Sequence, residues 1–308
     1  MRIVVIGGTG HIGNHLIPML AEAGMEVVVI ARGRTKWTLA NRSNLPRIVQ
    51  GTYQVGDADW PRVLRETVDD ADAVIDLLGV DLMGTYQAIR GCCGHVIACG
   101  SVWMLGAPRR VPCPAESQIE FWGEAYRRRW EVIQQLLTLS GHDGPRFTAI
   151  LPPNICGPGK IPLEPRGGRN IVVHRELARG SPVKLPEGPD ALIGPCDAED
   201  IAKAFFLTVT HPRQATGRIF NVGSAYALTA SEFVAAYAEI YRVQIPIERV
   251  SWPEFYKVIP DPGARYHFEA HMCPDISAIR EALGFQPRFT PVETMARAVE
   301  WMRGQKLL

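Results

Sequence analysis

Met1-Arg-Ile-Val-Val-Ile-Gly-Gly-Thr-Gly-His-Ile-Gly13 joins a short apolar run to a glycine-rich turn. Val4, Val5 and Ile6 lack polar alternation, the pattern of a parallel strand buried on both faces. Gly7, Gly10 and Gly13 fall at GxxGxxG spacing, and Gly8, Gly10 and Gly13 also satisfy GxGxxG. Ile12, Leu16, Leu20 and Ala23 then recur at helical spacing. Glycine permits a tight turn and a close backbone approach, so a pyrophosphate can rest on the free N–H groups at the helix start. Strand, glycines and helix stand in the order that such a site requires. The turn is read as a dinucleotide site, with Gly7, Thr9, Gly10, His11, Ile12 and Gly13 as its contacts.

Val27 to Ile30 form the second buried strand, and the chain continues Ala31-Arg32-Gly33-Arg34. An acidic residue here would hold the ribose 2′-hydroxyl of NAD. Two guanidinium groups without a carboxylate suit a 2′-phosphate instead, through charge-assisted bonds. NADP is therefore the expected cofactor, held in part by Arg32 and Arg34. Further strands are expected at Ile48-Val-Gln, at Asp72 to Gly79 and at His95 to Cys99. Asp57 is placed to hold the adenine, or with Asp59 to cap the next helix. Leu78 and Gly79, ending the fourth strand, let the backbone pass close to the cofactor. Short strands alternating with helices predict an α/β chain with a Rossmann-type, doubly wound parallel sheet, whose ligands lie beyond the carboxyl ends of the strands.

The chain has 308 residues, enough for one large α/β domain and a smaller lobe. With 33 Lys and Arg against 32 Asp and Glu, the net charge of +1 gives no case for a nucleic-acid partner or an anionic membrane. No apolar run approaches the roughly 20 residues of a bilayer span. The start enters a strand directly and leaves no room for a signal peptide, so a cytoplasmic location is expected. Seven scattered cysteines, none paired at CxxC spacing, suit a reducing compartment and predict no metal site.

Strand five runs into Gly100-Ser101-Val-Trp-Met-Leu-Gly106, and Tyr126 heads a helical run through Val132, Ile133, Leu136 and Leu137. With the glycine turn, the chain resembles the extended branch of the short-chain dehydrogenase/reductases, the NAD-dependent epimerase/dehydratase family, and within it the atypical branch. Leu151-Pro-Pro-Asn-Ile-Cys-Gly-Pro-Gly159 is similar to the family's RPxxxYGPG. Asp197-Ala-Glu-Asp-Ile-Ala202 is similar to its VxDVA, and Leu283-Gly-Phe-Gln-Pro287 to its LGWxP. The resemblance implies that Ser101 and Tyr126 are catalytic, and it would place a lysine four residues after the tyrosine. Trp130 stands there instead. The family's lysine holds the nicotinamide ribose and lowers the tyrosine pKa. Arg129 shares a helix face with Tyr126 and is the substitute cation, while Arg127, Arg128 and Arg129 could equally be one solvated face. Pro153 joins the cofactor contacts, and Trp103, Trp130 and Asn154 are the candidate substrate contacts; core packing is the alternative for Trp130.

The second lobe is expected to hold residues 156–195 and 226–308, and the NADP-binding domain residues 1–155 and about 196–225. Phe220-Asn-Val-Gly223 returns the chain to the large sheet. Thr229-Ala-Ser-Glu232 and Thr290-Pro-Val-Glu293 read as capping boxes. His174, His267 and His271 read as surface or satisfied core. Two functions compete. One is an NADP-dependent oxidoreductase, epimerase or dehydratase acting on a hydroxyl or carbonyl carbon, with a nucleotide sugar as the substrate that the resemblance implies. The other is a non-catalytic NADP-binding sensor or scaffold, for which the absent lysine argues. A homodimer stays open.

Overall fold

The computed structural model describes residues 1–32, 47–51, 59–115, 121–142 and 144–308. Its first lobe contains β1 (Arg2–Ile6), α1 (His11–Glu22), β2 (Glu26–Ala31), β3 (Arg47–Gln50), α2 (Trp60–Val68), β4 (Ala73–Asp76), α3 (Leu82–Ala88), β5 (His95–Cys99), α4 (Glu124–Leu139) and β6 (Arg146–Leu151). The chain then runs through β7 (Asn154–Cys156), α5 (Ile171–Leu177), β8 (Val183–Pro186), β9 (Leu192–Ile193) and β10 (Pro195–Asp197). It returns by α6 (Ala198–Thr210), α7 (Pro212–Ala215) and β11 (Arg218–Asn221). The remaining elements are β12 (Leu228–Thr229), α8 (Ala230–Tyr241), β13 (Ile247–Val250), α9 (Trp252–Phe255), α10 (Tyr266–Glu269), α11 (Ser277–Leu283) and α12 (Pro291–Gly304).

Seven strands form one parallel sheet in the order β11-β6-β5-β4-β1-β2-β3. Alternate side chains of these strands enter two different cores. Val4, Ile6, Val28, Val74 and Phe147 face one layer, and Ile3, Val5, Val29, Ile75, Ile150 and Phe220 face the other. Both faces are covered, which is why the strands read as continuous apolar runs. Each such Val, Ile or Phe contributes about 1.5–3 kcal/mol relative to exposure. The order reverses at β1, which has β2 on one side and β4 on the other. The crevice beyond the carboxyl end of β1 is therefore the topological switch point, where this architecture takes its ligands.

The second lobe has its own core, including Cys156, Leu163, Leu185, Phe233, Tyr237, Phe255 and Met295. Three two-stranded pairs, β7 with β10, β8 with β13 and β9 with β12, frame it. Thr229 and Thr290 cap α8 and α12, the second as a complete capping box. One segment departs from the expected division. Ile276, Ile279, Leu283 and Phe285, on and around α11, pack into the first lobe's core. The apolar face of α11 covers α6 and β11, so residues 226–308 are shared between the lobes.

Because β11 completes the sheet beside β6 and α6 packs on α1, a fragment ending at residue 155 should fail to fold. It would expose Ile150 and the α1 face that holds Leu16 and Leu20. The expected result is an insoluble or molten fragment; a soluble one with a cooperative melt and nucleotide affinity would refute the division.

Candidate active site

The glycine turn is shaped to receive an anion. Gly7 has φ +77, in the left-handed region, and its amide donates to the Ile30 carbonyl at 2.9 Å. The Gly10 amide donates to the Gly7 carbonyl at 3.0 Å, and a Cβ on Gly13 would collide with the Gly8 carbonyl. The first amide to reach an α1 carbonyl is that of Asn14, bonded to Gly10 at 3.0 Å. Amides before it have no acceptor within the helix. The first turn carries no acidic residue and Gly10 supplies no side-chain cap. The positive end of α1 is thus left for a ligand, and the cradle fits a dinucleotide diphosphate.

At the end of β4 the buried Asp76 carboxylate accepts hydrogen bonds from the amides of Leu78, at 2.9 Å, and Gly79, at 2.8 Å. This turn lays Leu78 on Gly7: a Cβ there would stand 2.6 Å from Leu78 Cγ. Arg32 is exposed immediately beyond β2. Arg34 and Asp57 lie outside the described residues.

Ser101 and Tyr126 come from neighbouring elements. Ser101 caps the short 3₁₀ turn Val102–Leu105, with its Oγ accepting from the Trp103 amide at 3.2 Å. Its hydroxyl proton remains available to a ligand oxygen. Tyr126 stands in the first turn of α4, half-buried. Burial pushes its pKa up and Tyr266 adds to the rise; Arg129 opposes it, and Asp261 again raises it. The balance keeps the phenol protonated, contrary to the expectation that a substitute cation would favour the ionised form.

The three arginines divide. Arg127 pairs with Glu124 and Glu131, and Arg128 pairs with Glu124, on the solvent face. Arg129 stays exposed but reaches across to the β4 turn, donating from Nη2 to the Leu78 and Gly79 carbonyls, each at 3.3 Å. It clasps the β4 turn to α4, a positioning contact that the sequence reading did not anticipate. Trp130 is only 7% exposed and belongs to the core that includes Met104, Leu105 and Ile133. Packing accounts for it, so it is withdrawn as a substrate contact.

An aromatic wall descends from the second lobe. Tyr266 stacks on Trp122 with ring centroids 4.3 Å apart and donates its hydroxyl to the Trp122 carbonyl at 3.0 Å. His267 meets Trp103 edge-on at 5.0 Å. The His267 Nδ1 is shielded and has no hydrogen-bond partner, and burial pushes its pKa down to about 3. Asn154, at the start of β7, is 5% exposed and its Nδ2 is likewise unpartnered. Pro153 is buried beside it. Tyr266 and His267 were missed as site residues because they sit on a four-residue helix that carries no motif. His174 and His271, by contrast, are satisfied, His174 by the Tyr241 hydroxyl and the Pro162 carbonyl and His271 by the Leu192 amide. Among the described residues no group of three His, Cys, Asp or Glu could hold a metal, and no helix is long and apolar enough to cross a membrane.

Residues 3–86 match the model of the NAD dependent epimerase/dehydratase family. UDP-D-apiose/UDP-D-xylose synthase 2 of Arabidopsis thaliana is 27% identical over 189 residues, covering 54% of this chain and 47% of the relative. The chain thus spans about half the length of that curated relative. A UDP-glucose 4-epimerase of Thermotoga maritima, solved with UDP-glucose, superposes with a TM-score of 0.76 at 17% identity, covering 99% of this chain and 100% of the other. A UDP-glucose 4-epimerase of Stenotrophomonas maltophila, solved with NAD and formylated UDP-arabinopyranose, gives 0.75 at 17% identity over 99% of each. These likenesses extend the fold to the whole chain.

Proposed function

We propose that this chain is an NADP-dependent oxidoreductase of the epimerase/dehydratase type, acting on a hydroxyl or carbonyl carbon of a nucleotide sugar. The observation that carries it is the joint placement of Ser101 and Tyr126 at the end of β5 and the head of α4, with both hydroxyls retained although the lysine is not. The dinucleotide, when bound, would supply or accept hydride at its nicotinamide. The protein's own residues supply the rest. When hydride reaches the substrate carbon, the protonated Tyr126 phenol gives its proton to the carbonyl oxygen; when hydride leaves, the Tyr126 phenolate takes the hydroxyl proton. Ser101 orients that oxygen, and Trp103, Trp122 and Tyr266 keep water from it. The nucleotide-sugar assignment draws on the relatives named above. Incubating the protein with NADP and a panel of UDP-sugars, followed by identification of the sugar nucleotides released, tests it. No conversion of any of them would favour the sensor or scaffold, to which the core position of Trp130 lends support.

Cofactor choice rests on Arg32, exposed beyond β2 with no carboxylate beside it in Ala31-Arg32-Gly33-Arg34. NADPH should bind at least about tenfold tighter than NADH, a difference of roughly 1.4 kcal/mol. Arg32→Ala should remove most of that margin. Equal dissociation constants by titration calorimetry in the unmodified protein would refute the preference.

A further inference from the structure

A cavity of about 170 Å³ opens between α3 and α4, behind the β4 turn. Val80, Met83, Met104, Val132 and Ile133 give it an apolar wall, and Ser101, Tyr126 and the glycine turn take no part in its lining. Val80 is exposed, so the cavity meets solvent. A cavity of about 150 Å³ with apolar walls holds benzene. A body the size of one benzene ring therefore fits here.

Arg128, Arg129 and Asp81 bring charge to this wall. Arg128 pairs with Glu124, and Asp81 accepts from the Gly84 amide at 3.0 Å at the start of α3. Among the described residues Arg129 has no carboxylate partner. Its bonds to the Leu78 and Gly79 carbonyls, both at 3.3 Å, are longer than the usual range of about 2.7–3.2 Å and use only Nη2. A guanidinium has donors to spare beyond one terminal nitrogen, so most of this fork is unused. A cation beside an apolar hollow suits a ligand whose apolar body fills the hollow and whose carboxylate meets the fork. Asp81 repels an anion, which leaves the Arg129 side as the place for that carboxylate. A bidentate carboxylate would compete for Nη2 with the two carbonyls, and the clasp of α4 on the β4 turn would loosen. That turn lays Leu78 on Gly7, so a loosened clasp disturbs the dinucleotide cradle.

We propose that this cavity is a regulatory site for a small apolar carboxylate, of the size of benzoate, which draws Arg129 from the β4 turn and so weakens the dinucleotide. The site itself is independent of the proposed function; its effect on the dinucleotide rests on that reading.

The test titrates benzoate, and its neutral counterpart benzyl alcohol, into the full chain without nucleotide by calorimetry, with melting temperatures as the fold control. Benzoate should bind saturably with a dissociation constant below about 10 mM, and at least about tenfold tighter than benzyl alcohol. Arg129→Gln should remove that margin, whereas Arg128→Gln, at the exposed pair with Glu124, should leave it within about twofold. Val132→Phe and Met83→Trp fill the cavity from α4 and from α3, and either one that melts cooperatively should abolish benzoate binding. Saturating benzoate should weaken NADPH by at least about fivefold, to a limit that further benzoate does not pass. No saturable binding of benzoate, binding that survives both filled variants, or equal affinity for benzyl alcohol would overturn the site. A loss of NADPH affinity that grows without limit would place benzoate in the nucleotide cleft and overturn it equally, and an unchanged NADPH affinity would overturn the regulation. A protein that binds benzoate but no NADPH would overturn the proposed function and the regulatory effect, and leave the site.

Discussion

Replacing Tyr126 by Phe is expected to lower turnover by about 10²–10⁴-fold, the range for losing a positioned proton donor, while dissociation constants for nucleotide stay within about twofold. The substitution removes one oxygen from a half-buried ring and leaves the remainder of its packing. Burial and Tyr266 hold the phenol protonated, so the residue is poised to give a proton, and activity should fall as pH rises through its pKa. Arg129 is the group that pulls that pKa down. Arg129→Ala should therefore move the alkaline limb of the rate profile upward, and it should also weaken cofactor binding by releasing the Leu78 and Gly79 carbonyls. A merely structural role for Arg129 would lower the rate without shifting the limb. If a substrate is found and Tyr126→Phe turns it over at the unmodified rate, proton transfer by Tyr126 is wrong for this protein.

The parts of this site that are legible in the sequence are those set by local rules. A strand that runs into three spaced glycines and a helix can be read residue by residue, because each glycine answers a backbone need visible in the chain: the positive φ of Gly7 and the contact of Gly13 with the Gly8 carbonyl. The capping box of Thr290 and the left-handed Gly284 that ends α11 are of the same kind. What sequence periodicity could not resolve is direction. Arg127, Arg128 and Arg129 are consecutive and all exposed, yet only the third reaches across to the β4 turn, because the carbonyls of Leu78 and Gly79, some fifty residues away in sequence, are there to receive it. Trp130 was ambiguous for the same reason: a large aromatic is core or ligand contact depending on what faces it, and here the core faces it. The second-lobe wall was illegible because His267 and Tyr266 reach Trp103 and Trp122 across more than 140 residues by ring contacts that leave no spacing pattern.

Acid should destabilise this protein before most of its carboxylates titrate, because several histidines are folded in neutral form. Burial pushes His11 and His267 down to about 3, and His95 and His174 down to about 4. The bonding explains why a second proton is unwelcome. The Thr148 hydroxyl donates to the Ala215 carbonyl, so it accepts from His95 Nε2, and the His95 Nδ1 is left buried and bare. At His174 the Pro162 carbonyl takes the Nε2 proton, and Nδ1 accepts from the Tyr241 hydroxyl. For a base whose folded pKa is depressed, the unfolded chain binds the extra proton first. The stabilisation is full above the unfolded value of about 6.5 and is lost as pH falls toward the folded value. At pH 5 each such histidine costs about 2 kcal/mol of stability, to be compared with a total of about 5–15 kcal/mol for a typical domain. Asp200 acts in the opposite sense. Its buried carboxyl is raised to about 6, so below that pH it takes up a proton in the folded state and offsets roughly one histidine. The net expectation is uptake of about three protons on unfolding near pH 5, read as the slope of unfolding free energy against pH in urea titrations between pH 7.5 and pH 5. A midpoint that stays level over that interval would mean that these histidines protonate within the folded protein, and the bonding described for His95 and His174 would have to be wrong.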